Sequence, residues 1–102
     1  EIGNLAETQV FNELKDNNTY FWRDKYKHEI DVIIKGKNIL PIEIKYKNNL
    51  KGSDLDNINF FLNKNKIKKS IIVTKDLFKK EEKTIFIPAW LFLLGDIGYL
   101  SE

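Results

Sequence analysis

Residues 29–47 have the sequence EIDVIIKGKNILPIEIKYK, and this segment decides the fold. Apolar residues alternate with other residues on both sides of a Lys-Gly-Lys-Asn segment, a pattern typical of a β-hairpin. Successive side chains of a strand point to opposite faces, so each strand has one apolar face. Aligning the two apolar faces pairs Val32 with Ile42 and Asp31 with Glu43, and leaves residues 36–38 as the loop. A register shifted by one residue would place Ile42 opposite Asp31, so burial disfavours it.

This register has a chemical consequence for the charged face of the hairpin. It predicts that Ile30 and Val32 share the apolar face, whereas Asp31, Glu43 and Lys45 lie together on the other face. Two neighbouring carboxylates repel each other, and a divalent cation would remove that repulsion. Mg²⁺ takes one or two carboxylates together with waters and phosphate oxygens, and a nearby ammonium would orient a water or offset charge on a phosphate. The hairpin therefore predicts a metal-dependent phosphodiesterase.

Asp31, followed on the next strand by PIEIK at residues 41–45, resembles the signature of the PD-(D/E)xK nuclease superfamily. The resemblance implies an α/β, restriction-endonuclease-like core, in which a mixed central sheet is flanked by helices. Its expected order is a helix, three antiparallel strands, a crossover helix and further strands. It also implies catalytic roles for Asp31, Glu43 and Lys45, with Mg²⁺ or Mn²⁺ held by Asp31 and Glu43. A Glu on the first helix is often a fourth member of such sites, and Glu7 is the candidate here.

The Glu-x-Lys spacing alone carries little information, because it occurs three times in this chain. The other two copies begin at Glu13 and Glu81. Only the copy at Glu43 lies in an aliphatic strand and follows an acidic strand through a hairpin. The alternative interpretation of the middle copy is a charged, solvent-exposed face of an ordinary sheet.

A second resemblance rests on four segments: residues 3–7 (GNLAE), 22–24 (WRD), 42–46 (IEIKY) and 87–94 (IPAWLFLL). Together they are similar to a domain found at the C-terminus of prokaryotic, notably archaeal, AAA-type ATPases. Residues 1–102 are then expected to form a single nuclease-like domain, cut from the C-terminus of a larger ATPase. The absence of Met and the start at Glu1 agree with a fragment. No GxxxxGK[ST] loop occurs in the sequence, so ATP would bind only in a domain outside this chain.

Composition limits the class of protein. The 102 residues are 42% hydrophobic, which suffices for one domain with one core. The absence of Cys excludes a disulfide scaffold and a Cys-based zinc site, and it fits a cytoplasmic protein. No apolar run reaches the length of a membrane span, about 18 residues, and no signal peptide is visible, so no membrane partner is expected. The net charge of +2 does not by itself indicate nucleic acid.

The remaining helices and strands are predicted from the periodicity of apolar residues and from residues that typically end helices and strands. The patterns predict helices over residues 2–15, from Ser53 or Asp54 to about Asn63, and over 89–94, with strands at 19–23, 70–74 and 84–87. The unbroken aliphatic run at 71–73 indicates a strand buried on both faces, as in a parallel sheet. Residues 75–83 are expected to be a charged connection without regular structure. Residues 90–94 are apolar all round, which fits either a core helix or a docking patch for the ATPase domain or a second copy of the chain.

Three functions follow from these observations. The first is a Mg²⁺-dependent DNA nuclease in which Asp31 and Glu43 hold the metal, Lys45 positions the attacking water, and Glu7 completes the shell or poises Lys45. The second is a non-catalytic interaction or nucleic-acid-docking module of the ATPase. The third is a structural terminus with a charged sheet face, which would bind no metal.

Overall fold

The computed structural model describes residues 2–14 and 19–95. The elements in chain order are α1 (Ile2–Leu14), β1 (Thr19–Arg23), β2 (Glu29–Lys35), β3 (Ile39–Ile44), α2 (Gly52–Asn65), β4 (Ser70–Thr74), β5 (Lys79–Glu81), β6 (Thr84–Pro88) and α3 (Ala89–Leu94). The strands form one sheet in the order β1-β2-β3-β4-β6-β5. The pairings β1–β2, β2–β3 and β5–β6 are antiparallel, whereas β3–β4 and β4–β6 are parallel. The predicted α/β class and mixed sheet are therefore confirmed.

The hairpin has the register that the apolar faces predict. Val32 is paired with Ile42, and Ile34 with Leu40, so the loop consists of residues 36–38. The Gly36 N–H donates to the Asn38 carbonyl at 3.3 Å and closes this loop. Burial of matched aliphatic pairs is enough to select the register, because a slip of one residue would turn every side chain to the wrong face.

One expectation about this hairpin is wrong, namely that Ile30 and Val32 share a face. Along β1, Tyr20 is paired with Ile33 and Trp22 with Ile30, so the single residue Phe21 is opposite two residues of β2. This is a β-bulge at positions 31 and 32, and a bulge shifts the alternation of side chains by one. Ile30 consequently packs with Ile33 in the core on one side of the sheet, whereas Val32 packs on the other side.

The sheet has a hydrophobic core on each side. The first is covered by α1 and α3 and contains Val10, Leu14, Val32, Ile34, Leu40, Ile42, Ile71, Val73, Ala89 and Phe92. The second is covered by α2 and contains Ile30, Ile33, Ile58, Phe61, Leu62, Ile67, Ile72 and Phe86. All five residues of β4 are buried, as its unbroken aliphatic run predicts. In the part of the chain that the structure describes, no helix is long and apolar enough to span a membrane.

The structure differs from the sequence-based expectations at two further places. Residues 79–81 form the edge strand β5 instead of an irregular connection. Every residue of β5 is exposed, so the strand depends on main-chain pairing with β6 and has no apolar alternation to reveal it. Helix α2 begins at Gly52 with Lys51 as the N-cap, and Asp54 is not the cap but accepts the Lys51 N–H at 2.8 Å from inside the first turn. The predicted end of the first helix at residues 15–18 lies outside the described residues.

Candidate active site

The candidate site lies where the main-chain pairing of β2 with β3 ends. The last register pair is Val32 with Ile42. Beyond it, the Asp31 N–H donates to Glu43 Oε1 at 2.8 Å, and the Ile44 N–H donates to Asp31 Oδ2 at 2.8 Å. Each carboxylate is thus fixed by the main chain of the neighbouring strand. At this point, two hydrogen bonds from main-chain N–H groups to acidic side chains replace the usual main-chain hydrogen bonds of the sheet.

Glu43 is the most unusual of these groups, because its residue is only 2% exposed. Burial, followed by the negative charge of Asp31, raises the pKa of the Glu43 carboxyl to about 7. The hydrogen bond from the Asp31 N–H and the charge of Lys45 act in the opposite direction but are weaker. A cation bound beside Glu43 would lower this pKa again, since positive charge favours the ionised carboxylate.

Lys45 places its ammonium beside the buried carboxylate. The Lys45 Nζ lies 3.8 Å from Glu43 Oε2. Its main chain is fixed on the other side, because the Lys45 N–H donates to the Val73 carbonyl of β4 at 2.8 Å. The side chain is partly buried, so its charge is less screened than that of a surface lysine.

These groups adjoin an open cleft of about 790 Å³. Its lining residues are Glu7, Thr8 and Phe11 from α1, Phe21 from β1, Asp31, residues 44–47, and Asp54 from α2. Three of the four predicted site residues therefore share one cleft, and Glu43 contacts its wall through the hydrogen bond to Asp31. Asp31, Glu43 and Lys45 are close together, as predicted. They do not share one face of a regular sheet, however, because a bulge in β2 and the end of its pairing with β3 bring them together.

The comparisons with known proteins concern nearly the whole chain. The family described as "Domain of unknown function (DUF4143)" matches residues 2–92. The chain belongs to the DUF4143 family. The matched range contains Glu7, Asp31, Glu43 and Lys45. A search of curated proteins and a search of solved structures each returned no significant match. The family description states no activity, so the chemistry of this DUF4143 domain has to be argued from its geometry.

The metal-ligating capacity of the DUF4143 site rests on two carboxylates. Within residues 2–14 and 19–95, no three His, Cys, Asp or Glu side chains lie close enough together to hold one metal ion. Asp31 and Glu43 nevertheless supply the one or two carboxylates that Mg²⁺ usually takes from protein, waters and phosphate oxygens providing the other ligands. These two carboxylates could hold such an ion only if other oxygen atoms completed its shell. Glu7 lines the same cleft, and its role there stays a prediction.

Sequence reasoning missed several residues of the cleft in this DUF4143 domain. Lys47 Nζ lies 2.8 Å from Asp54 Oδ1, and this hydrogen bond lowers the pKa of Asp54. The pair connects the end of β3 to the first turn of α2 and so forms one wall of the cleft. Phe11 and Phe21 line the cleft although both are half-exposed. No sequence motif marks these residues, because they come from three separate elements and from the segment that follows β3.

The only histidine of the sequence lies outside the cleft lining. His28 Nδ1 is 2.9 Å from Asp24 Oδ2, and its ring stacks on Phe60 with centroids 3.8 Å apart. Asp24 also accepts the N–H groups of Tyr26 and His28, both at 2.9 Å. These contacts fix the turn between β1 and β2. His28 thus has a structural role in this turn.

Proposed function

We propose that this DUF4143 domain is a metal-dependent nuclease with a restriction-endonuclease-like fold, and that it hydrolyses phosphodiester bonds in DNA. The observation that carries the proposal is the reciprocal bonding of Asp31 and Glu43 across the gap between β2 and β3, with the Lys45 ammonium 3.8 Å from Glu43. A sheet that needed only stability would bury apolar residues there, because a buried carboxylate beside a second carboxylate is destabilising.

The chemistry assigns a role to each group. Asp31 and Glu43 would hold Mg²⁺ or Mn²⁺, and such an ion, when bound, stabilises charge on a phosphoryl oxygen and lowers the pKa of a bound water. Lys45 donates a hydrogen bond that orients the attacking water and offsets the negative charge that develops on the phosphate. Glu7, which lines the same cleft, would complete the metal shell or poise Lys45.

The order of elements supports the nuclease-like fold. A helix precedes three antiparallel strands, and α2 then connects β3 to the parallel strand β4, which is the arrangement that the resemblance implies. DUF4143 domains are typically found with AAA-type ATPases, which supports an ATPase domain in the same polypeptide as the partner. ATP would bind in that domain, and the whole protein would act on DNA in the cytoplasm.

The first prediction concerns metal binding. Calorimetric titration of the domain with Mn²⁺ should give one site, and Asp31→Asn or Glu43→Gln should each weaken it at least tenfold because each removes a charged oxygen ligand. Glu81→Gln is the matched control, since Glu81 belongs to another Glu-x-Lys segment, in the exposed strand β5. Absence of any saturable Mn²⁺ binding by the wild-type domain would contradict the proposal and favour a structural terminus.

A second candidate function is a non-catalytic interaction module, and the exposed residues of α3 favour it. Trp90 is 57% exposed and Leu94 is 79% exposed, although α3 packs on the core through Ala89 and Phe92. An exposed tryptophan is a common centre of a protein interface. The same patch fits the ATPase domain or a second copy of the chain.

Substitution of this patch separates the two functions. Trp90→Ala should weaken association with the ATPase part of the polypeptide, supplied as a separate chain, about tenfold while leaving Mn²⁺ binding unchanged. Phe78→Ala is the matched control, because Phe78 is also an exposed aromatic residue but lies outside α3. Association that is unaffected by Trp90→Ala, measured by analytical ultracentrifugation, would exclude α3 as the docking surface.

A further inference from the structure

Two half-exposed phenylalanines line the cleft, and neither belongs to a hydrophobic core. Phe11 of α1 is 50% exposed and Phe21 of β1 is 59% exposed, and both line the cleft beside Asp31. Large apolar side chains at such exposure are unremarkable when they are scattered singly. Here two separate elements bring phenyl rings to the same cavity as Asp31.

The position of Phe21 follows from the strand that carries it. β1 is an edge strand, and Trp22 packs against the α2-side core, where its ring makes an edge contact with Phe61 at 4.9 Å. Alternation therefore turns Phe21 to the other side, opposite the bulge that contains Asp31.

A cation lies beside this ring. The guanidinium carbon of Arg23 is 5.5 Å from the centroid of Phe21, and Arg23 also binds Glu29 Oε1 at 2.7 Å. A phenyl face with a neighbouring guanidinium is the combination on which single-stranded nucleic acids stack their bases while a phosphate is held nearby. The Phe21 ring thus lies between Asp31, which lines the same cleft, and a guanidinium at the edge of the cleft that is ion-paired with Glu29.

The charges of the cleft argue against recognition of a duplex by its phosphates alone. Its lining contains the cations Lys45 and Lys47, but also the acids Glu7, Asp31 and Asp54. Lys47 is already paired with Asp54. Duplex binding depends on neutralising many phosphates with lysines and arginines, and this cleft does not supply them. Stacking of a base on an aromatic side chain adds affinity that does not come from contacts with phosphates.

We propose that Phe11, Phe21 and Arg23 form a base-stacking subsite, and that the cleft therefore selects unpaired nucleotides of single-stranded or frayed nucleic acid. The inference rests on the proposed nuclease function, because it names the substrate class of the same cleft. A base that is paired in a duplex has its faces covered by neighbouring bases, so only an unpaired base offers a face to Phe21.

The test is a binding measurement that does not depend on cleavage. Fluorescence anisotropy in metal-free buffer at low salt compares a labelled single strand of about 12 nucleotides with the duplex of the same sequence. The single strand should bind the wild-type domain more tightly than the duplex. Phe21→Ala should weaken single-strand binding about tenfold and leave duplex binding nearly unchanged.

Tyr20→Ala is the matched control. Tyr20 is the preceding residue of the same edge strand and is 46% exposed, but it lies on the opposite side of the sheet, near Lys35. Its substitution should leave both affinities unchanged. Equal losses in the two variants, or no loss with Phe21→Ala, would overturn the subsite. Thermal denaturation of each variant checks that the fold is retained.

A second measurement locates the stacked base directly. A single strand containing 5-iodouracil, irradiated in complex with the domain, should form a crosslink to the side chain of Phe21 or Phe11, assigned to the individual residue by fragmentation of the crosslinked peptide in tandem mass spectrometry. Crosslinking only at Tyr20 or Tyr26 would overturn the assignment. These results are distinguishable from failure of the nuclease proposal. Binding and crosslinking without any metal-dependent cleavage would contradict the proposed activity but support the subsite. Metal-dependent cleavage together with unaltered binding by Phe21→Ala would support the activity but contradict the subsite.

Discussion

Replacing Lys45 with alanine should reduce metal-dependent DNA cleavage at least a hundredfold, while Mn²⁺ affinity stays within about threefold of wild type. The Lys45 ammonium lies 3.8 Å from Glu43 Oε2 and lines the cleft, so it is placed to stabilise charge that exists only in the transition state. Removing one preorganised donor of this kind typically lowers the rate by about 10² to 10³. The measurement is a time course of hydrolysis of labelled single-stranded and branched DNA with Mg²⁺ or Mn²⁺.

Lys83→Ala provides the control for this experiment. Lys83 follows Glu81 with the same spacing as Lys45 follows Glu43, but it is exposed and lies between β5 and β6. Its removal should leave the cleavage rate unchanged and exclude a general effect of net charge. Identical cleavage by the wild type and Lys45→Ala would show that any observed activity does not come from this site.

Replacing Glu43 with glutamine should abolish cleavage and, at the same time, stabilise the metal-free domain above pH 7. The pKa of Glu43 in the folded protein is about 7, compared with 4.5 as its ordinary value. Between these values the folded state binds more protons than the unfolded state, so the free energy of unfolding falls as pH rises from 4.5 to 7 and is then constant. This difference in pKa corresponds to about 3 kcal/mol in the free energy of unfolding. The glutamine variant would not lose this stability, because its side-chain amide does not ionise.

Urea denaturation in metal-free buffer at several pH values from 4 to about 8.5 measures this effect. The wild type should lose stability across the window from 4.5 to 7, and Glu43→Gln should show a flatter profile. Glu81→Gln should retain the wild-type profile, because Glu81 is exposed. A Glu43→Gln variant that is less stable than the wild type at pH 8 would contradict the idea that an ionised buried carboxylate strains the fold. Added Mg²⁺ should stabilise the wild type selectively, because a ligand of the folded state raises its stability by mass action.

The combination of these two results would be more informative than either alone. A substitution that increases stability while it removes activity is expected where a fold keeps an unfavourable charge for function. A role for Glu43 that is limited to accepting the Asp31 N–H predicts no loss of activity, since the amide oxygen of glutamine would accept the same hydrogen bond.

Much of the fold could be predicted from local pattern. The register of the hairpin follows from its aliphatic pairs, because one slip would expose all of them. The burial of β4 follows from its unbroken aliphatic run, and the start and end of α3 follow from Pro88 and Gly95. Strand β5 could not be predicted, because an exposed edge strand needs no apolar alternation and is held by main-chain pairing with the adjacent strand β6.

The sequence by itself determined the register that brings Asp31 opposite Glu43 and the two-residue spacing from Glu43 to Lys45, since both depend only on alternation along neighbouring strands. Only the tertiary structure decided how these groups meet. The bulge opposite Phe21 reverses the alternation between Ile30 and Val32, and the end of main-chain pairing lets the carboxylates bind backbone N–H groups instead. A bulge depends on the register of a third strand, and burial of Glu43 depends on packing from both sides of the sheet. Neither the bulge nor the burial of Glu43 can therefore be predicted from the local spacing of residues.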